Sequence, residues 1–441
     1  MKDIIQKVRS LVSPSLQAKK SKKNLAQRAI KLVEEQAKRY DLVTKVEFGG
    51  SYAKGTWLAK DADVDIFVRF KEMAGKEEFA KISREIGFDA MNKYGPYVRY
   101  SEHPYVEAVI QNTQINVVPC YDVQPGRWKS AADRSPYHTK KMQSELTQKM
   151  QSEVRVLKTF LKSAGVYGAE IARQGFSGYV SEVMILNFKS FEGVIKAMTN
   201  LEKGAVIGQA GKKFDTSLVI IDPIDEMRNL AAAISEENIG RFILRCTSFA
   251  KRPSMRFFKS SRPEARLGLE NVLAVRFNFC PRGSEIIWGQ LKKATVSISA
   301  QLDTAGFNVL RSMPHTDEQK DACLLFLLES IKIPDKHVRY GPDYFRRNDA
   351  REFVGKNTRN SQMMWLGRDG RILSLEEREF SDARVFLKNL LGNNRAGIPK
   401  GLQDDFKRGF GVFSGARISN ESVKEAALNL VSTDDTFLHF N

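Results

Sequence analysis

The sequence has few cysteines and no long apolar run, and these two scarcities exclude several classes of protein. Cys120, Cys246, Cys280 and Cys323 lie far apart and form no CxxC pair, which argues against a zinc site and against a disulfide scaffold. No apolar stretch approaches the roughly 18 residues that a membrane-spanning helix needs. The basic segment Lys19–Asn24 precedes no apolar core, so it does not resemble a signal peptide. We therefore expect a cytoplasmic protein with no membrane partner.

Acidic residues are scarce relative to basic ones. The 441 residues include 70 Lys and Arg against 52 Asp and Glu, which gives a formal net charge of +18. Because basic side chains that meet phosphates release counterions, this excess favours nucleic acid as a partner, although a merely basic soluble enzyme is the alternative. Hydrophobic residues make up 42% of the chain, which is enough to fold throughout.

The length and the changing periodicity predict three domains. Residues 1–140 combine a buried strand at Val64–Phe70, a helix over about 75–93 and three further short strands, so we expect an α/β head with one mixed sheet. Residues 141–256 are predicted to form a helical central domain, and residues 257–441 an α+β body and tail. The three short strands are predicted at Tyr97–Ser101, Val106–Ile110 and Ile115–Tyr121.

Further patterns predict elements in the last two domains. Apolar residues from Met142 to Leu161 share one face of a single long helix that ends at Gly165, and a second helical region covers roughly 225–250. The basic, proline-containing stretch 251–266 marks a boundary. A β-α-β-β unit is predicted between Val272 and Ile331, and helices joined by polar loops are predicted beyond it.

The segment Gly49–Phe70 carries the most informative pattern. Asp63 and Asp65 stand two apart at the start of a strand, so both carboxylates point to the same side and can hold a pair of magnesium ions. Upstream, Gly49-Gly50-Ser51 can turn tightly and offer N–H groups to phosphate oxygens. Either motif alone suits two solvated carboxylates or an ordinary turn. The order strand, GGS, short helix, D-x-D, strand is far more restrictive.

This segment resembles the nucleotidyltransferase superfamily, which includes DNA polymerase β, poly(A) polymerases and CCA-adding enzymes. The similarity is greatest to the archaeal-type CCA-adding enzymes. It extends through YSEHPY (100–105), VVPCY (117–121), SAADRSPYH (130–138), GVYGAE (165–170), GFSGYVSE (175–182), DPIDEMRN (222–229), FFK (257–259) and LRS (310–312). These blocks span most of residues 45–315, whereas the C-terminal third resembles the family only faintly.

The resemblance implies roles for the residues that match each motif. Asp63 and Asp65 would be catalytic ligands of Mg²⁺. Many relatives have arginine where this chain has Lys54, which supplies charge but not a bidentate fork. The residues implied in nucleotide binding are Gly50, Ser51 and Lys54 of GGSYAK, His138 of SPYH, Lys158 of RVLK, Tyr167 of GVYGAE and Arg228 of DEMRN.

Each of the last four residues has a plainer interpretation. His138 suits a surface histidine, and Lys158 suits a helix side chain that extends its amine to solvent. Tyr167 suits core packing. Arg228 suits a helix cap or an ion pair with Asp225 or Glu226.

Asn116 departs from the family pattern, because relatives carry a third carboxylate at this catalytic and metal-binding position. An amide oxygen is a weaker magnesium ligand than a carboxylate, and it cannot accept the proton of an attacking 3′-hydroxyl. Asp122 lies too far along the strand to substitute. Asn116 is either a natural divergence or an isosteric substitution that traps a substrate complex.

The resemblance also implies the reaction. A tRNA 3′-hydroxyl attacks the α-phosphate of CTP or ATP and releases pyrophosphate, so that C, C and A are added without a template. A poly(A) polymerase or oligoadenylate synthetase of the same superfamily is one alternative. A catalytically silent RNA-binding relative, supported by Asn116, is another. The oligomeric state is left open, with a homodimer as one alternative.

Overall fold

The structure is a computed structural model that describes residues 1–59, 63–73, 75–99, 104–260, 265, 267–393 and 396–438. Its contacts divide the chain into two compact units. Unit 1 consists of Met1–Arg262 and Asp434–Asn441, and unit 2 consists of Pro263–Thr433. Within the described residues, no helix combines the length and the apolar character that crossing a membrane requires.

A five-stranded mixed sheet lies in the N-terminal half of unit 1. Its strands are β1 (Val43–Gly49), β2 (Val64–Lys71), β3 (Tyr97–Arg99), β4 (Tyr105–Ile110) and β5 (Thr113–Asp122). Their spatial order is β1-β2-β5-β4-β3; β2 and β5 run parallel, and the other pairs are antiparallel. The predicted mixed sheet is therefore confirmed, and the short helix α3 (Gly50–Ala53) joins β1 to β2 as the motif order indicates.

Three more helices belong to this half of unit 1. Helices α2 (Leu16–Ala37) and α4 (Lys76–Met91) bury apolar faces against the sheet, with Ala29, Val33 and Ile86 fully inaccessible to solvent. Helix α1 (Lys2–Val12) instead places Ile5 and Val8 in the core of the helices that follow the sheet. Apolar spacing alone therefore does not reveal which core an N-terminal helix joins.

The second half of unit 1 is mainly helical. Its elements are α5 (Ser135–Glu145), α6 (Gln148–Ser163), α7 (Gly178–Phe188), α8 (Phe191–Thr199), β6 (Ala205–Ile207), β7 (Leu218–Asp222), β8 (Asp225–Asn229) and α9 (Glu236–Lys251). The three strands form a small sheet of order β6-β7-β8. The helices share one apolar core rich in phenylalanine, including Phe160, Phe176, Phe242 and Phe249.

Two predictions for this region are wrong in detail. The single long helix is interrupted, because Leu146 has an extended backbone and the Thr147 hydroxyl accepts a hydrogen bond from the Met150 N–H to cap a new helix. The residues from 225 onwards begin as a strand, because Pro223 and Ile224 turn the chain back against β7. The helix starts only at Glu236, after the Ser235 cap.

Unit 2 begins with the predicted β-α-β-β unit. Its elements are β9 (Val272–Asn278), α10 (Ser284–Thr304), β10 (Val309–Thr316) and β11 (Asp321–Leu328). A later strand, β15 (Phe410–Ser414), completes an antiparallel sheet of order β10-β11-β9-β15. Strand β11 is buried on both faces, and alternate residues of it join two separate apolar cores.

The prediction of helices alone beyond residue 331 is wrong. Besides β15, this region holds three strands, β12 (Lys336–Asp343), β13 (Ser361–Leu366) and β14 (Arg371–Glu377). They form a sheet of order β12-β14-β13, and its tight hairpin turn at Gly367–Gly370 is the signal that the sequence prediction missed.

The remaining helices are α11 (Arg347–Asn357), α12 (Ala383–Gly392), α13 (Lys400–Lys407), α14 (Glu421–Val431) and α15 (Asp435–Leu438). Short 3-10 helices occur at Asn92–Tyr94, Ala132–Arg134, Met255–Phe258 and Gly415–Arg417.

The basic stretch 251–266 lies where the two units divide. Phe257 is completely buried in the core of unit 1. Arg262 and Arg266, and most of the YSEHPY motif, lie outside the described residues.

Candidate active site

A row of polar side chains crosses one face of the head sheet. Asp65 on β2 is paired with Asn116 on β5, which is paired in turn with Glu107 on β4. Because directly paired residues project to the same face, the three side chains are neighbours. Asn116 Nδ2 lies 2.8 Å from Asp65 Oδ1 and donates a hydrogen bond to it. The structure thus brings together two of the three predicted metal-binding residues.

Gly50 allows the Asp65 carboxylate to approach the turn after β1. Its φ is +63°, in the left-handed region that favours glycine, and a Cβ built there would lie 1.7 Å from Asp65 Oδ2. No side chain fits at that position without displacing the carboxylate. The GGS turn and the D-x-D motif, which are separate in sequence, therefore pack directly against each other.

The Asp63 and Asp65 carboxylates have different environments. Asp63 is exposed, whereas burial raises the pKa of the Asp65 carboxyl, and this rise is opposed by the Asn116 hydrogen bond and by the charge of Lys54. Within the described residues, no three His, Cys, Asp or Glu side chains form a ready-made metal site. Magnesium commonly uses one or two carboxylates and completes its shell with water and substrate phosphate, so these two residues fit that cation.

The two lysines predicted to bind nucleotide meet at a buried glutamate. Lys54 Nζ donates to Glu182 Oε2 at 2.5 Å, and Lys158 Nζ lies 3.6 Å from Glu182 Oε1. The Thr56 hydroxyl also donates to Glu182, and Lys158 donates to the Thr56 carbonyl at 3.1 Å. Only 2% of Lys158 is exposed, so the alternative in which its amine extends to solvent is wrong.

This cluster carries more positive than negative charge. Burial lowers the pKa of Lys158 to about 8, although Glu182 opposes the shift. Burial alone would raise the pKa of Glu182, but the charges of Lys54 and Lys158 outweigh it and lower that pKa. In the described residues, Glu182 is the only carboxylate paired with either amine. Two buried ammonium groups that share one carboxylate form an electrostatic environment that favours a further anion.

Gly178 brings Tyr167 close to the lysine cluster. A Cβ at Gly178 would lie 2.9 Å from the Tyr167 hydroxyl and 3.4 Å from Lys158 Nζ. The Tyr167 ring also lies 5.2 Å from Lys162 Nζ, so this tyrosine combines packing with polar contacts. The first turn of α7 is therefore held against two of the predicted nucleotide-binding side chains.

A second buried carboxylate, Asp222, collects His138, Tyr179 and Arg228. His138 Nε2 and Arg228 NH1 lie 2.8 and 3.1 Å from Asp222 Oδ2, and the Tyr179 hydroxyl donates to Oδ1 at 2.9 Å. Burial lowers the pKa of His138, so the neutral imidazole donates its Nε2–H to the carboxylate. His138 is buried and Arg228 does not pair with Asp225 or Glu226, so the surface-histidine interpretation and those two ion pairs are wrong.

Tyr179 links the two clusters. Its ring stacks on His138 with a centroid distance of 3.9 Å, and Lys54 Nζ lies 5.3 Å from the same ring. Sequence reasoning missed Tyr179, Glu182 and Asp222, although the first two lie in GFSGYVSE and the third begins DPIDEMRN. Their signal is the presence of polar residues inside otherwise apolar elements, but only the fold shows that they converge.

A concavity of about 610 Å³ adjoins the β7–β8 turn. Its lining includes Lys141, Asn187, Asp222 and Asp225. Lys54, Lys158 and Arg228 do not contribute to this lining. The concavity therefore borders the Asp222 cluster without reaching the lysine cluster.

Replacement of Glu182 by glutamine should destabilise unit 1. The change leaves Lys54 and Lys158 without a counter-charge, and breaking a buried pair typically costs about 3–5 kcal/mol. Urea denaturation of Glu182→Gln should show this loss in the free energy of unfolding. The exposed Glu35→Gln is the control, with an expected change within about 0.5 kcal/mol. Equal stabilities for both variants would contradict a buried ionic role for Glu182.

Three segments of the chain match known domain families. Residues 30–138 match the nucleotidyltransferase domain, and residues 152–259 match the second domain of tRNA nucleotidyltransferase. Residues 270–415 match the C-terminal domain of CCA-adding enzyme, which corrects the prediction of only a faint resemblance there. The fold and these matches define a nucleotidyltransferase.

Curated relatives named CCA-adding enzyme align along most of the chain. The relative from Saccharolobus shibatae is 33% identical over 393 residues, covering 88% of this chain and 92% of that protein. The relative from Methanopyrus kandleri is 30% identical over 430 residues, covering 90% and 87%. The chain belongs to the family of CCA-adding enzymes. The predicted family, fold class and tRNA nucleotidyltransferase activity are thereby confirmed, and the poly(A) polymerase alternative is not favoured.

Solved structures add only a distant likeness. The Cid1 poly(U) polymerase with Mg and 3′-dATP bound is 13% identical and has a TM-score of 0.46 over 59% of this chain and 98% of that one. At this similarity the likeness supports no functional argument.

Proposed function

We propose that this chain adds C, C and A to the 3′ end of tRNA from CTP and ATP, with Mg²⁺ held by Asp63 and Asp65. The observation that carries this proposal is the arrangement of charge in unit 1. The positive charge of Lys54 lowers the pKa of Asp65 and so favours its carboxylate form. The same Lys54 ammonium belongs to the buried cluster in which Lys54 and Lys158 share Glu182. Carboxylates suit the metal ions and the excess positive charge suits a triphosphate, so the two halves of the substrate complex would lie side by side.

Bound Mg²⁺ would supply electrostatic stabilisation of the attacking and leaving oxygens. Asp63 and Asp65 would hold it, and Gly50 leaves room for the Asp65 carboxylate. Ser51 and Lys54 would contact the triphosphate, with Lys158 adding positive charge from the helix behind them. Asn116 has no proton-accepting carboxylate, so the proton of the attacking hydroxyl would leave to solvent.

The nucleotide base would be read near Asp222. Arg228 is partly exposed, with 37% of its side chain accessible, and one nitrogen of its fork is held by Asp222. In the described residues the rest of the fork makes no hydrogen bond, so its donors remain for a base edge. Neutral His138 and Tyr179 would keep Asp222 oriented, and Tyr167 would close the pocket near Lys158.

Arg228→Ala should impair the choice among nucleotides more than metal binding. Both cytosine and adenine offer a ring-nitrogen acceptor, so one arginine can bind either base. Loss of Arg228 should therefore lower the preference for CTP and ATP, measured as their kcat/KM divided by the kcat/KM of UTP and GTP. Arg228→Lys is the matched variant, since it keeps the charge beside Asp222 but not the fork. Equal losses with all four nucleotides would assign Arg228 a structural role.

The tRNA and the compartment are also part of the proposal. The net charge of +18 favours a polyanionic partner such as tRNA, whose phosphates would bind basic surface residues. We place the reaction in the cytoplasm, where tRNA and nucleotides are available.

The deciding experiment offers labelled CTP alone, ATP alone and both to tRNA that lacks CCA. We expect two cytidines from CTP and a terminal adenosine only when both are present. Long adenosine tails would indicate a poly(A) polymerase. No incorporation at all would favour the silent RNA-binding relative, for which Asn116 is the supporting observation.

A further inference from the structure

An uninterrupted hydrogen-bond chain connects Glu107 to Asp65 across three strands. Gln114 precedes Asn116 by two residues on β5, so both project to the same face. Gln114 Nε2 donates to Glu107 Oε2 at 2.8 Å and to Asn116 Oδ1 at 3.1 Å. Asn116 Nδ2 then donates to Asp65 Oδ1 at 2.8 Å. The hydrogen-bond chain therefore has a carboxylate at each end and the amides of Gln114 and Asn116 between them.

The donors and acceptors in this chain allow one orientation of the Asn116 amide. An ionised carboxylate only accepts, and the Gln114 amide nitrogen has two hydrogens, both of which are used. If the Asn116 amide were flipped, its oxygen would face the Asp65 carboxylate and its NH₂ group would face that of Gln114. Both contacts would be repulsive, so the chain fixes the Asn116 nitrogen towards Asp65.

Glu107 is a rigid end for the chain. Only 3% of the residue is exposed. Its Oε2 also accepts from Arg99 Nε at 3.2 Å, and its Oε1 accepts from the Tyr97 hydroxyl. Residues of β3 therefore donate hydrogen bonds to both carboxylate oxygens of Glu107, and Oε2 also accepts the hydrogen bond from Gln114. A rotamer change at Glu107 would break several hydrogen bonds at once, so the acceptor offered to Gln114 stays in place.

We propose that Glu107 is a positioning residue for nucleotidyl transfer, which acts through Gln114 and the Asn116 amide on the Asp65 carboxylate. This inference rests on the proposed role of Asp65 as a metal-binding residue. The two ends of an amide differ, so the Asn116 amide must be oriented to present its donor to Asp65. Glu107 and Gln114 supply that orientation from the neighbouring strand, and Asp65 is held by a donated hydrogen bond.

A double-mutant cycle on Gln114 and Asn116 tests the proposal. Gln114→Met removes both bridging donors, Asn116→Ala removes the amide, and the double variant removes both. Two quantities are measured: Mn²⁺ affinity by electron paramagnetic resonance of the free ion, and the single-turnover rate of CTP addition. We expect Gln114→Met to lower each by about two- to tenfold, the factor of one hydrogen bond. In the Asn116→Ala background, we expect it to change neither by more than about twofold.

Glu107 itself is tested by three matched variants. Glu107→Met should reproduce the loss seen with Gln114→Met, because it removes the acceptor that anchors the glutamine. Glu107→Gln should recover most of it, since the amide carbonyl can still accept. Tyr97→Phe removes the donor to the other Glu107 oxygen and is expected to change Mn²⁺ affinity by less than about twofold.

The outcomes separate this proposal from the proposed function. An equal effect of Gln114→Met in both Asn116 backgrounds would overturn positioning and leave a role in folding alone. If the unaltered chain incorporates no nucleotide, the proposed function fails, while the Mn²⁺ affinities of the Gln114, Asn116 and Glu107 variants still decide whether Glu107 positions Asp65. If thermal melting shows that Asn116→Ala does not fold, Asn116→Ser serves as the second background.

Discussion

Asp65→Asn is expected to abolish nucleotide addition while leaving the folded protein at least as stable. Asp65 is half-buried and less exposed than Asp63, and its carboxylate lies against Gly50 and accepts a hydrogen bond from Asn116. A metal ion stabilises transition-state charge by several kcal/mol, so loss of this ligand should slow single-turnover addition by about a thousandfold or more. Burial raises the pKa of this carboxyl, which means that its charge is unfavourable in the metal-free fold. A neutral amide relieves that cost.

Asp65→Asn is expected to lower the rate of nucleotide addition without lowering the stability of the fold. Measuring both quantities therefore distinguishes a catalytic role of Asp65 from a structural one. Thermal melting without divalent metal should show an unchanged or higher midpoint for Asp65→Asn, and rapid-quench assays should show the lost rate. Asp89→Asn is the matched control, because Asp89 is an exposed carboxylate on the same head that pairs with Arg39. Normal turnover by Asp65→Asn would refute the two-metal assignment. A collapse in melting temperature together with the rate would instead make Asp65 a structural residue.

The head was predictable because its chemistry is local in sequence. The period of two at Asp63 and Asp65, the glycine turn and the apolar strand Val64–Phe70 are properties of one segment, and the structure contains that strand–turn–helix–strand order. The pairing of Asp65 with Asn116 needed one further assumption, that β5 lies beside β2, which the family resemblance supplied.

The buried carboxylates were not predictable in this way. Glu182 lies 128 residues from Lys54 and Asp222 lies 84 residues from His138, so no sequence period relates the partners. Their contacts form only when α7 and β7 pack against the head and α5. Local signals were also missed where they were weak: Thr147 interrupts a strong apolar face, and the Gly367–Gly370 turn separates two strands with little alternation.

Asn116→Asp is expected to accelerate nucleotide addition and to make the fold dependent on metal. The substitution replaces the nitrogen that lies 2.8 Å from Asp65 Oδ1 by an oxygen that is negatively charged. Two unit charges about 4 Å apart interact by about 4 kcal/mol at an effective dielectric constant of 20. The two carboxylates should therefore repel each other unless a cation lies between them. Without divalent metal, the melting temperature of Asn116→Asp should fall below that of the unaltered chain.

Divalent metal should offset this loss of stability in Asn116→Asp. A ligand that binds only the folded state stabilises it by about 2.7 kcal/mol at one hundred times its dissociation constant. Because the added carboxylate strengthens the hard-oxygen site, Mg²⁺ should raise the melting temperature of Asn116→Asp more than that of the unaltered chain. Asn116→Ala, which has neither the donor nor the charge, is the control and should show no enhanced response. An identical response to Mg²⁺ in all three proteins would place residue 116 outside the metal site.

The rate is the decisive measurement. At saturating Mg²⁺, CTP and tRNA lacking CCA, an aspartate at 116 adds a metal ligand and an acceptor for the proton of the 3′-hydroxyl. General-base assistance alone is typically worth ~10²–10⁴ in rate. Alternatively, the Asn116 amide that Gln114 orients already supports the reaction. The rate gain of Asn116→Asp should then stay below about tenfold, which is ~1.4 kcal/mol of the activation barrier. Nucleotide affinity should change little in either case, since Lys54 and Lys158 keep their contacts with Glu182. Equal single-turnover rates for the two proteins would show that residue 116 neither binds the catalytic metal nor accepts the proton of the 3′-hydroxyl.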